Sequence, residues 1–221
     1  MKERFTWKGA VFDLDGTLLD SMGVWRKIDR DFLAKRGMEV PMDYMKAISA
    51  MHFYQAAEYT IQRFGFTDTP EMLVEEWKDM AKEAYAHEVG LKPGVSEYLK
   101  ALKACGVKIA AATSGEKSLF LPCLENNGIL GDFDVLVTTA EAKRGKGFPD
   151  VYELAAEKSG LSNIECMVFE DILQGIRGAK MGHFAVTGIL DEHSGFEWDE
   201  IRKEADRYAV DFTELLQEDF L

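Results

Sequence analysis

Five short apolar runs constrain the fold of this chain more than any other feature. Residues 9–13 (Gly-Ala-Val-Phe-Asp), 107–113 (Val-Lys-Ile-Ala-Ala-Ala-Thr), 134–139 (Asp-Val-Leu-Val-Thr-Thr), 166–169 (Cys-Met-Val-Phe) and 184–187 (Phe-Ala-Val-Thr) are nearly continuous rather than alternating. A strand with one wet face alternates apolar and polar residues, whereas a strand covered on both faces need not. Helical spacing fills much of the rest. Val95, Leu99 and Leu102 share a face of 95–104, Val151, Leu154 and Ala155 a face of 149–158, and Ile172, Ile176 and Ala179 a face of 172–181. Strand and helix in alternation predict an α/β fold, a doubly wound parallel Rossmann-like sheet with right-handed crossovers.

Residues 20–89 break the rhythm, because they contain no strand-like run. Asp20-Ser21 offer N-cap chemistry to a helix with Trp25, Ile28, Phe32 and Leu33 in step, stopped by Gly37. A second helix is expected through 42–64, with Tyr54, Ala57, Ile61 and Phe64 in step. Thr69 caps a third, with Pro70 in its first turn and Leu73, Trp77, Met80 and Ala84 on one face. A helical block of about seventy residues is too long for a crossover. It reads as an all-helical domain, 20–89, inserted into an α/β domain made of 1–19 and 90–221.

Charge narrows the functions available. Thirty-nine acidic against twenty-six basic residues give a formal net charge of -13, which repels nucleic acid and anionic lipid. The same charge repels a small phosphorylated substrate, so phosphate chemistry here needs a local cation. No apolar run reaches membrane-spanning length, and Met1–Thr6 does not resemble a signal-peptide core. Cys105, Cys123 and Cys166 are widely spaced and odd in number, fitting neither a disulfide framework nor a zinc site. A cytoplasmic monomer without nucleic-acid or membrane partners is therefore expected.

The polar residues that matter sit where the apolar runs end. The first run opens into Asp13-Leu14-Asp15-Gly16-Thr17-Leu18-Leu19-Asp20, two carboxylates at i and i+2 before a glycine turn. Such a pair can converge on one metal ion, although alone it reads equally well as a solvated acidic turn. The second run ends in Thr113-Ser114-Gly115, donors suited to a phosphoryl oxygen. Lys146-Gly147-Phe148-Pro149-Asp150 precedes a helix, and Val168-Phe169 runs into Glu170-Asp171. Each of these three is weak by itself. All lie where open α/β sheets bind ligands.

These four segments, in this order, resemble the haloacid dehalogenase-like superfamily of phosphohydrolases. The resemblance covers essentially the whole chain, including a helical cap after the first segment, and is similar to the branch that holds beta-phosphoglucomutase and phosphoglycolate phosphatase. It implies that Asp13 is a nucleophile forming an aspartyl-phosphate and that Asp15 is the general acid and base. It implies that Thr113 and the Ser114 amide hold the phosphoryl group while Lys146 neutralises it. Mg²⁺ would be held by Asp13, the carbonyl of Asp15 and Asp171, with Glu170 beside it. Gly147 departs from the pattern, since relatives usually carry proline there, and this is expected to loosen the lysine loop.

The resemblance leaves rivals. Haloacid dehalogenases proper lack the second aspartate, which is present here as Asp15. A non-catalytic phosphate-binding relative would have lost a motif residue, and none is missing. A phosphomutase shares the core chemistry but needs a second phosphate site in the cap. Residues 45–61 contain no arginine and one lysine, Lys46, which favours hydrolysis of a small phosphorylated metabolite such as a sugar phosphate. Lys46, His52 and Tyr54 are the candidate specificity residues. The four histidines are scattered without ligand spacing.

Overall fold

The computed structural model describes residues 7–48, 51 and 53–220. In chain order the first elements are β1 (Gly9–Phe12), α1 (Met22–Lys35), α2 (Met42–Ile48), α3 (Phe53–Phe64), α4 (Pro70–His87) and α5 (Val95–Ala104). Next come β2 (Lys108–Thr113), α6 (Lys117–Asn126), β3 (Val135–Thr138), α7 (Asp150–Lys158), β4 (Cys166–Glu170) and α8 (Leu173–Met181). The chain ends with β5 (Ala185–Ile189), α9 (Trp198–Glu204), β6 (Arg207–Ala209) and α10 (Phe212–Phe220). It divides into two compact units, Met1–Ser21 with Val89–Leu221, and Met22–Glu88.

The larger unit is a parallel sheet in the order β3-β2-β1-β4-β5-β6. The chain winds outward from β1 through β2 and β3, then returns to lay β4 on the other side of β1. The crevice between the C-terminal ends of β1 and β4 is thus the topological switch point, where sheets of this kind bind ligands. Register explains why the strands read as unbroken apolar runs. Val11 lies opposite Ala110 and Val168, and these face Val151, Ala155, Ile176 and Ile201 of the helices on one side. Phe12 lies opposite Phe169 and points the other way, the two rings stacked with centroids 4.4 Å apart. Tyr98 of α5 and Phe212 of α10 complete that second core. Both faces are buried, so neither needs polar residues.

The smaller unit has helices as its regular secondary structure among the described residues, and aromatic rings meet in its core. Phe32 of α1 meets Trp77 of α4 edge-on at 5.4 Å, and Tyr44 of α2 meets Phe64 of α3 at 5.2 Å. Thr69 Oγ1 accepts from the Met72 amide at 3.4 Å, the expected cap, with Pro70 in the first turn. Among the described residues no helix is long and apolar enough to cross a membrane.

Two expectations need correction. Among the described residues the helix expected over 42–64 is two helices, α2 and α3; the residues in step, Tyr54, Ala57, Ile61 and Phe64, all belong to α3 and carried no signal for α2. A sixth strand, β6, was not expected: three residues at the sheet edge, of which Ala209 alone is buried, leave no apolar run. Ser21 stands directly before α1, at the position expected for its cap, and donates its hydroxyl to Asp15 Oδ1 at 2.7 Å.

Candidate active site

The switch-point crevice gathers the candidate residues of the α/β unit by strand geometry. Asp13 follows β1 directly, its amide still donating to the Phe169 carbonyl at 3.0 Å. The chain then folds back on itself, with the amides of Leu18 and Leu19 both donating to Leu14 O. Gly16 makes that turn at φ +85°, and a Cβ there would lie 2.4 Å from Asp171 Oδ2. Left-handed backbone and contact with the second acidic segment both demand glycine.

Lys146 is the cation of the site. Its buried ammonium donates to Asp13 Oδ1 and, at 2.5 Å, to Glu170 Oε1. Tyr152 of α7 donates to the same Glu170 oxygen at 2.8 Å. The lysine loop is pressed against α8, where a Cβ on Gly178 would come within 1.9 Å of the Lys146 carbonyl. Gly178 thus lets the lysine loop pack directly on α8.

Carboxylate oxygens of Asp13, Glu170 and Asp171 lie within 4.8 Å of one another, all three residues buried. Burial pushes the Asp13 carboxyl well above its usual range; Lys146 opposes this, and Glu170, Asp171 and Asp15 reinforce it. Asp171 is pushed up to about 7 by burial and Glu170, with Lys146 and the Thr17 hydroxyl pulling the other way. For Lys146, burial lowers the ammonium's value, but Asp13 and Glu170 outweigh it and the net shift is upward. One ammonium thus leaves the three carboxylates under-neutralised. Glu170 Oε2, moreover, is a buried oxygen with no hydrogen-bond partner. An all-oxygen donor set with surplus negative charge suits a hard divalent cation such as Mg²⁺.

The remaining residues flank this centre. Asp15 is half-buried, and its side chain is held by Ser21 rather than joined to the acidic triad. Thr113 Oγ1 accepts from the Gly115 amide at 2.9 Å, fixing the turn after β2, while Ser114 is exposed. A Cβ on Gly115 would lie 3.1 Å from Asp15 Oδ2, which brings that turn beside Asp15. Tyr54 is exposed on α3 and donates its hydroxyl to Glu71 Oε1. His52 and the side chain of Lys46 lie outside the described residues.

Several residues of the site were not anticipated. Thr17 Oγ1 lies 3.0 Å from Asp171 Oδ1 and 3.4 Å from Asp13 Oδ2, and its single proton goes to the nearer oxygen. Ser194 donates to the Asp171 carbonyl at 2.9 Å. Thr17 belongs to the Asp-Gly-Thr segment and could have been singled out there; Tyr152 and Ser194 carry no local signal.

A sheet of this topology, with paired acids after β1 and β4 and a lysine between them, defines a class. The family model of haloacid dehalogenase-like hydrolases matches residues 10–189, and the chain belongs to that family. Fructose-1-phosphate phosphatase YqaB of Escherichia coli (strain K12) is 28% identical over 180 residues, covering 81% of this chain and 94% of that protein. Validoxylamine A 7'-phosphate phosphatase of Streptomyces hygroscopicus subsp. limoneus is 27% identical over 209 residues, 95% of this chain and 96% of that one. A solved structure, a candidate beta-phosphoglucomutase from Thermotoga maritima, matches with a TM-score of 0.85 and 24% identity over 97% of this chain and 100% of its own. That likeness speaks for the fold.

Proposed function

We propose that this hydrolase cleaves a small phosphomonoester, a sugar phosphate or similar metabolite, through a phosphorylated Asp13. The observation that carries the reading is the buried triad of Asp13, Glu170 and Asp171 against the single ammonium of Lys146. Asp13, Asp171 and the carbonyl of Asp15 would hold Mg²⁺, with Glu170 beside them. When bound, the ion supplies the positive charge that lets an anionic nucleophile approach an anionic phosphate.

The chain's own residues do the rest. An Asp13 carboxylate oxygen attacks phosphorus, and the bond from phosphorus to the leaving oxygen breaks. Asp15, oriented by Ser21, gives that oxygen its proton. Asp15 then takes a proton from water, whose oxygen attacks phosphorus and releases inorganic phosphate with Asp13 restored. Lys146 holds Asp13 in place, and Thr113 with the Ser114 amide faces the phosphoryl oxygens. The helical unit, 20–89, acts as a cap that selects the leaving group, with Lys46, His52 and Tyr54 as its specificity candidates.

Two relatives named as phosphatases, of fructose 1-phosphate and of validoxylamine A 7'-phosphate, support hydrolysis over transfer. The absence of arginine from 45–61 supports it too. Turnover of p-nitrophenyl phosphate should require Mg²⁺, vanish in chelator and be poorly supported by Ca²⁺, which takes more ligands at longer distances. Full turnover in chelator overturns the metal assignment. A panel of phosphorylated metabolites then identifies the substrate. With β-glucose 1-phosphate and catalytic glucose 1,6-bisphosphate, phosphate should appear without glucose 6-phosphate outpacing it; the opposite result makes the chain a mutase.

A further inference from the structure

The α/β unit contains a second buried ion pair that the proposed reaction does not use. Lys92 lies where the chain re-enters this unit after the helical insertion, and Asp191 lies just beyond β5. Their side chains are 9% and 4% exposed, with Nζ 2.8 Å from Oδ2. Lys92 also donates to the Leu190 carbonyl at 2.8 Å. Its own backbone is anchored: the Lys92 amide donates to Leu18 O at 2.9 Å, and Leu19 pairs with Leu91 as an isolated antiparallel bridge.

From Asp191 the contacts run on to the acidic segment after β4. Asp191 Oδ1 accepts from the His193 amide at 2.8 Å, with the His193 ring Nδ1 3.2 Å away, and this shapes a tight turn. The turn delivers Ser194, whose hydroxyl donates to the Asp171 carbonyl at 2.9 Å. Three residues later Glu197 Oε2 accepts from the Leu173 amide at 3.1 Å. Segment 190–197 therefore grips the Asp171 loop on both sides of residue 172, while Lys92 grips its other end.

A buried ion pair is a poor device for stability alone, since apolar residues of similar volume often do as well. What this pair provides is direction, because each of its polar atoms is committed to a stated partner. We infer that Lys92, acting through Asp191 and Ser194, is a positioning residue that sets the Asp171 loop for cation binding. The inference rests on the metal reading above. It also makes the linker that leaves the helical insertion a structural neighbour, in bonding terms, of an acid of the site.

Calorimetric titration of Mg²⁺ into chelator-stripped full-length protein tests it, with thermal unfolding run on every variant. Wild type should bind one ion per chain, and Ser194→Ala and Lys92→Met should each bind about 10-fold more weakly, as for loss of outer-shell support. The double variant should lose little beyond the larger single loss, because both act along one chain of contacts. Ser194→Thr, which keeps the hydroxyl, should recover most of the affinity. If Lys92→Met does not fold, Asp191→Asn takes its place. Affinities within twofold of wild type in folded Ser194→Ala and Lys92→Met overturn the positioning role and leave the metal site standing. No Mg²⁺ binding by wild type overturns the metal reading and this inference with it.

Discussion

The two units of this molecule handle charge in opposite ways. Among the described residues, the buried charged side chains (Asp13, Lys92, Lys146, Glu170, Asp171 and Asp191) all belong to the α/β unit, whereas the buried polar side chain of the helical unit is Thr60. A cation from each makes the contrast concrete. Lys146 is surrounded by carboxylates and touches two of them directly. Arg36 lies over the ring of Phe32 at 3.9 Å and that of Phe66 at 5.2 Å, and its guanidinium reaches Glu76 at 2.7 Å and Asp68 at 3.5 Å. A parallel sheet can hold charge in its interior because backbone on both sides fixes the strand ends. Side chains beyond those ends converge without needing to pack. A small helical unit has no such frame, so its interior is apolar and its charges stay near water.

The largest effect that would break this contrast is at Asp13. Asp13→Asn should lower turnover by at least about 10⁴-fold, since an amide is a poor nucleophile. Its unfolding midpoint without metal should be no lower than that of wild type, because the change removes one of three crowded carboxylates. A variant that is inactive because it unfolds would make Asp13 a scaffold residue.

A matched pair of threonines sharpens the comparison. Thr17→Val removes the donor to Asp171 and should weaken Mg²⁺ activation about 10-fold or more, read from initial rates against metal concentration. Thr60, which donates to the Ala56 carbonyl at 2.7 Å and meets the Tyr44 hydroxyl at 2.9 Å, should behave differently. Thr60→Val should cost about 1 kcal/mol of stability in urea unfolding and leave the metal dependence where it was. Equal metal effects from both would erase the distinction.

Arg36→Met should destabilise by about 1–2 kcal/mol through lost stacking and ion pairing. Its turnover of p-nitrophenyl phosphate well below the unfolding midpoint should stay within twofold of wild type.

The smallest effect concerns Asp29, an acid of the helical unit whose half-buried carboxyl is pushed up to about 6 by burial. The unfolded value is near 3.9, so the folded state holds an extra proton between about pH 4 and 6. The stability this contributes is fully present below pH 4 and is lost as the pH rises through 6. Asp29→Asn mimics the protonated form and should be more stable than wild type at pH 7.5 by about 1 kcal/mol, after discounting for the part of the group open to water. The gain should be gone at pH 4. Urea midpoints of both proteins at the two pH values check it.

Much of the site was legible in the chain because strand ends advertise themselves. Asp13, Thr113 and Glu170-Asp171 each follow an apolar run, and a parallel sheet must bring such positions to one edge. Lys146 was legible by its place in an ordered set of segments rather than by periodicity. Where the site sits was less so: β4 falls beside β1 because of the strand order, and that order is not written in any one strand.

Hydropathy and spacing along the chain determined that there would be two-faced strands, crossover helices and an all-helical insertion, since those depend on neighbours within a few residues. Tertiary structure alone decided which groups hold the candidate catalytic ones. Tyr152 meets Glu170 across 18 residues, Ser194 meets Asp171 across 23, and Lys92 meets the Leu190 carbonyl across 98. None of these sits in a local pattern, because each bond forms only after register and helix packing have brought a side-chain donor within about 3 Å of its distant acceptor. The short edge strand β6 escaped for a local reason instead, since Ala209 alone of its three residues is buried. Local apolar rhythm says which face is buried, and only the packed fold says what that face, or the polar residue at its rim, will meet.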